Sequence, residues 1–192
     1  MAHLWKPSDQ KVQDQPSSMV PMELSIDSGN DNVYVTDMKN HRVQVFDSKN
    51  SFIRQWGSFG NGSGQFSDTA PGIAVDNNDV YVTDMKNHRV QLFDSKDSFI
   101  RQWGSFGNST GQFSETAPGI AVDNKNNVFV IDKINTRVQM FDNEGSYLAG
   151  WGSFGKGQEQ LNQPEDIAID GNGQIYVTDT RNSRIQILEI KN

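Results

Sequence analysis

Four aspartates punctuate the chain at near-constant spacing: Asp37, Asp84, Asp132 and Asp179 lie 47, 48 and 47 residues apart. Five residues after each comes an arginine: Arg42, Arg89, Arg137 and Arg184. A carboxylate and a guanidinium held together could act as an acid/base pair, or the pair could simply fix a turn. Catalysis would need a distinct partner and a pocket. Repeated four times, the pair reads as a turn device, the carboxylate capping turn amides and meeting the returning arginine. The histidines His3, His41 and His88 raise the question of zinc, which needs three converging protein ligands. His41 and His88 are copies of one position, and the later copies carry Thr136 and Ser183 there. Asp76-Asn-Asn-Asp79, Asp123-Asn-Lys-Asn126 and Asp170-Gly-Asn-Gly173 look superficially like calcium loops but lack the late bidentate glutamate. Gly57, Gly60 and Gly64 suggest a phosphate loop, yet no Gly-Lys-Ser/Thr follows and no helix opens there. There is no Gly-x-Ser-x-Gly elbow and no cysteine. The expectation is no enzyme, no metal and no cofactor.

The elements that carry these residues are themselves repeated. Each aspartate closes a short apolar run: Val33-Tyr-Val-Thr, Val80-Tyr-Val-Thr, Val128-Phe-Val-Ile and Ile175-Tyr-Val-Thr. Trp56, Trp103 and Trp151 recur with the same period and read as large anchors between neighbouring units. The 44-residue stretches Val33 to Asp76 and Val80 to Asp123 differ at five positions (45/92, 50/97, 62/109, 63/110 and 68/115), which indicates duplication within the chain. One unit divides into strands at Gly72–Asp76, Val80–Thr83, Arg89–Phe93 and Phe99–Trp103, separated by Asn, Asp, Ser and Gly turns. Nothing has a helical period. Four meander strands per 47 residues predict an all-β fold, a β-propeller.

The units resemble the NHL repeat, whose pattern runs Pro-x-Gly-Ile-Ala-Val-Asp, strand, Val-Tyr-Val-x-Asp, turn, Asn-His-Arg, strand, Trp-Gly. Here the turn signature is Asn40-His41-Arg42, Asn87-His88-Arg89, Asn135-Thr136-Arg137 and Asn182-Ser183-Arg184. The resemblance runs from about Pro21 to Asn192 and implies four four-stranded blades, at 21–70, 71–117, 118–163 and 164–192. Family propellers usually have six blades. The last unit stops before its fourth strand, and His3-Leu4-Trp5 within residues 1–20 is expected to supply it, closing the ring. Closure within one chain gives a four-bladed monomer; closure between two gives an eight-bladed head-to-tail homodimer, which bends each unit less. The amidating lyases of the wider fold group use a histidine-rich metal centre, which two histidine copies do not make.

Charge and composition narrow the partners. The 192 residues carry 17 Lys+Arg against 24 Asp+Glu, a net −7. That balance weakens a general nucleic-acid role. No apolar run is long enough to span a membrane, and Met1 to Lys11 lack an apolar signal core. These absences lean only to the cytoplasm, and the compartment stays unassigned. One end of the propeller gathers the turns between second and third strands with the connections from each Trp to the next Pro. These turns hold Met38, Lys39, His41, Met85, Lys86, His88, Lys133, Ile134 and Arg181, a ring of cations with apolar neighbours on an acidic body. The expected function is a non-catalytic scaffold binding a protein or peptide there. Single-stranded RNA, bound by some members of the resembled family, is the alternative, and a metal-dependent lyase or hydrolase the last.

Overall fold

A computed structural model of the chain describes residues 21–67, 72–76, 79–114 and 116–188. Its elements are short strands because the sequence alternates Val, Ile, Tyr and Phe over four to seven residues and then breaks at Asp-Asn or Asp-Ser-Lys turns. In those turns the aspartate caps its own hairpin. Asp47 Oδ1 accepts the amides of Lys49 and Ser51, and Asp94 and Asp170 repeat the arrangement. The amide of Ser51 is the leading cause that holds the Asp47 carboxyl below the usual range.

Blade one is the antiparallel meander β1 (Pro21–Ile26), β2 (Val33–Asp37), β3 (Arg42–Phe46) and β4 (Phe52–Trp56). Blade two is β5 (Ile73–Asp76), β6 (Asp79–Asp84), β7 (Arg89–Phe93) and β8 (Phe99–Trp103). Blade three is β9 (Thr116–Val122), β10 (Val128–Asp132), β11 (Arg137–Phe141) and β12 (Tyr147–Trp151). Blade four shows three strands, β13 (Pro164–Ile169), β14 (Ile175–Asp179) and β15 (Arg184–Leu188). The strand expected from His3-Leu4-Trp5 lies outside the described residues. In blade two the third and fourth strands stand where expected, whereas the first begins at Ile73 and the second runs Asp79–Asp84, one residue longer at each end. Inner strands β1, β5, β9 and β13 are neighbours in that order, the arrangement of a propeller.

The cores lie between blades, not within them. Tyr34, Val43 and Val45 of blade one pack with Ile73, Val80, Val82 and Phe93 of blade two, and Trp56 covers the seam. Trp56 meets Phe93 with ring centroids 5.5 Å apart, and Trp103 meets Phe141 at 5.9 Å. Trp56 and Trp103 are therefore placed as blade-to-blade anchors. Ion pairs reinforce the rim: Arg54 reaches Asp97 at 2.6 Å, and Arg101 reaches Glu144. Among the described residues no helix is long and apolar enough to cross a membrane.

Candidate binding face

The Asp/Arg motif is a clamp that holds the loop of the preceding blade. After Trp56 the chain runs Gly57-Ser58-Phe59-Gly60-Asn61-Gly62-Ser63-Gly64-Gln65-Phe66 and folds back on itself. The Phe66 amide donates to Ser58 O at 2.8 Å, and the Gly60 amide to Phe66 O at 3.1 Å. The fold-back drives Phe66 into the core, as it does Phe113 and Leu161. Residues of the next blade then seize the loop. Asp84 Oδ1 accepts the Ser67 amide at 3.0 Å and the Ser67 hydroxyl at 2.7 Å. Asn87 Nδ2 donates to Gly60 O at 2.9 Å, and the Arg89 guanidinium donates to the carbonyls of Asn61, Gly62 and Gln65. Gln91 accepts from the Gly64 amide and donates to Gln65 O.

The same hands recur in the later blades. Asn135, Arg137 and Gln139 hold the loop carbonyls of Gly107, Ser109 and Gln112, and Asn182, Arg184 and Gln186 hold those of Gly155, Lys156, Gly157 and Gln160. Within each clamp the arginine Nε donates to the aspartate, at 2.9 Å in Arg42–Asp37 and Arg89–Asp84 and 2.8 Å in Arg137–Asp132 and Arg184–Asp179. Burial alone would raise the Asp179 carboxyl. Hydrogen bonds from Asn182, the Asn162 amide and Arg184 outweigh it and hold the group below its ordinary 3.8. The glutamines went unread in the sequence because their partners belong to another blade; their signal was recurrence two residues after each arginine.

What these clamps present is a face of turns and loop tips. Met38–Asn40, Met85–Asn87 and Thr180–Asn182 are single 3-10 turns rather than plain reverse turns. Each closes on a left-handed residue: His41 at φ 51°, His88 at 53° and Ser183 at 52°, with Thr136 at 53° in the matching place. Histidine tolerates that conformation better than a β-branched residue. His41 and His88 lie beside Phe59 and Phe106, with ring centroids 5.0 and 4.9 Å apart. Trp56, Trp103 and Trp151 are each followed by a glycine that the packing requires. A Cβ on Gly104, at φ 105°, would lie 2.6 Å from His88 O.

The aromatic residues opposite the histidines were missed in the sequence. Phe59, Phe106 and Phe154 are 63, 70 and 72 % exposed, at the same spacing as the tryptophans. Phe59, Gly60, Asn61, Ser67, Lys86 and Asn87 line an open groove of about 450 Å³ where blades one and two meet. Met85, Lys86, His88, Ser114 and Ile134 line a second, of about 300 Å³, towards blade three. The expected ring of cations is uneven. Lys133 is bound to Glu165 at 2.5 Å, because the next inner strand supplies a carboxylate beside it. Lys86 and Arg181 are exposed and make no ion pair among the described residues. Among those residues no three His, Cys, Asp or Glu side chains converge.

Comparison with known proteins agrees with this architecture. The NHL repeat model matches residues 161–188, and a model described as a 6-bladed beta-propeller matches residues 24–102. The Caenorhabditis elegans RING finger protein nhl-1 is 50% identical over 42 residues, 22% of this chain and 4% of that protein. Among solved structures, an auxiliary nutrient binding protein from Bacteroides ovatus superposes with TM-score 0.68 at 14% identity, over 90% of this chain and 48% of its own. Virginiamycin B lyase from Staphylococcus aureus superposes with TM-score 0.62 at 14% identity, over 90% and 56%. The chain thus spans about half the length of these structures, and at such identity they show the fold alone. With the Asp-x-x-Asn-x-Arg motif on every blade and the repeat model matched in the fourth, the chain has a β-propeller fold and carries an NHL repeat at residues 161–188.

Proposed function

We propose that the chain is a non-catalytic interaction module that binds a protein or peptide across the loop face of blades one to three. The observation that carries this reading is the row of exposed phenylalanines Phe59, Phe106 and Phe154, each fixed by a clamped loop. Exposed aromatics on a rigid frame supply contact area at little entropic cost. Lys86 in the first groove, with Met85 and Ile134 in the second, suits an extended segment that alternates acidic and apolar side chains. The lyases among the similar structures are too distant in sequence to lend a reaction.

Selection of random peptides on the purified chain tests the reading. The expected ligands are acidic-apolar, and the triple replacement Phe59→Ser, Phe106→Ser, Phe154→Ser weakens them at least about tenfold with melting unchanged. Ligands indifferent to these replacements would move the binding site elsewhere. One observation favours single-stranded RNA as a second reading, since aromatics beside a cation can stack bases. A labelled random RNA oligonucleotide that binds with affinity falling steeply with salt would favour it over the peptide.

A further inference from the structure

We infer that the two ends of the four-blade arc are the two halves of one seam, and that a second copy of this chain closes them into a ring. The seam is built three times inside the chain, between blades one and two, two and three, and three and four. At each, the leading blade presents two residues of its third strand: Val43 and Val45, Val90 and Leu92, or Val138 and Met140. The following blade presents the isoleucine of its inner strand: Ile73, Ile120 or Ile167. All nine are buried.

The ends carry apolar residues at the same positions, and among the described residues no neighbour covers them. Blade four presents Ile185 and Ile187 in the places of Val43 and Val45, and they are 66 and 54 % exposed. Blade one presents Leu24 in the place of Ile73, and it is 61 % exposed against 6 %. Val33, Val35 and Phe46 are half-buried, whereas their counterparts Val80, Val82 and Phe93 are buried. Each end is therefore an apolar sheet face whose complement stands at the other end. Isolated hydrophobic residues on a surface are ordinary, but a contiguous face with a built complement is a docking surface.

A second copy fits because each end of the arc is the built complement of the other, and an identical chain presents both. The joint is heterologous, blade four of one copy against blade one of the next, and two such joints close a ring of eight blades. Closure also aligns Arg181 of one copy with the turn at Met38–Asn40 of its partner, so the loop face runs unbroken around the ring.

Light scattering on the purified chain tests this. The expected mass is twice 21.5 kDa, independent of concentration over the micromolar range. Leu24→Asp or Ile185→Asp alone places a carboxylate in both joints and weakens dimerisation about 100-fold or more. Mixing the two variants restores one seam free of both changes and recovers a dimer. Both side chains are exposed within one copy, so each variant keeps its circular dichroism and melting cooperativity. Because the chain has no cysteine, the doubly substituted Leu24→Cys, Ile185→Cys chain can be joined with a short bismaleimide. A cross-linked dimer on a denaturing gel supports the ring. A monomeric mass for the native chain, an internally cross-linked monomer, mass that keeps growing with concentration, or mixed variants that stay apart would each overturn it.

Discussion

Blades one and two are nearly one sequence in two settings. From the second strand of each blade to the inner strand of the next they differ at five positions, yet Phe93 is buried and Phe46 only half-buried. The difference belongs to the neighbour and not to the residue. A propeller blade is half of two interfaces, so burial is set by position in the series, as in other repeat proteins. One of the five differences follows from this. Position 97 carries Asp where position 50 carries Asn, and Asp97 is the residue that Arg54 of the preceding blade reaches.

The comparison can be pressed hardest at the clamps. Arg89→Ala leaves Asp84 buried without its cation and is expected to cost about 3–5 kcal/mol. Arg184→Ala should cost clearly less, because the Arg184 side chain is 33% exposed against 6% for Arg89. Urea unfolding of the two variants measures the gap, and equal losses would mean that position in the series does not matter. Next comes the aromatic pair. In the monomeric Leu24→Asp background, Phe93→Ala is expected to cost about 3–5 kcal/mol and Phe46→Ala roughly half as much, by the same measurement.

A smaller effect is read from acid. Asp179 titrates below its ordinary 3.8 when folded, so its contribution is present above that value and is lost as pH falls through the depressed one. The melting temperature of the native chain should therefore fall on acidification below about pH 4. Asp179→Asn should flatten part of that fall, and an unchanged slope would take Asp179 out of the acid response. Smallest of all is the rim. Burial raises the Asp97 carboxyl against the opposing pull of Arg54, and the pair is partly exposed. Asp97→Asn should cost about 1 kcal/mol or less, most of it lost in high salt. A larger cost would make the rim pairs part of the seam.

The fold was legible because it is local: strand runs, turn residues and a period are all written along the chain. The clamp was only half legible. Asp84 and Arg89 lie close enough in sequence to suggest each other, whereas Gln91 acts on Gly64 and Gln65, 27 and 26 residues away in another unit. The binding face was blurred for a related reason. Phe59 and Phe66 are both phenylalanines in a glycine-rich loop, and only the fold-back decides which one goes inward. The third unit held a clue: the inward place takes Leu161, while the outward place keeps Phe154. Lys133 looked like its fellow cations until the next inner strand brought Glu165 beside it.

The clamps also impose an order in time. Each described loop that follows Trp56, Trp103 or Trp151 is gripped by residues that come about 24–28 positions later, as when Arg89 takes the carbonyl of Asn61 28 positions earlier. A ribosome adds roughly 5–20 residues per second, so a newly emerged loop waits on the order of seconds for its holder. During that interval its glycines and aromatic tip are unrestrained. Each blade thus matures when its successor is made, and a chain cut between units always ends on a loop that nothing has yet caught.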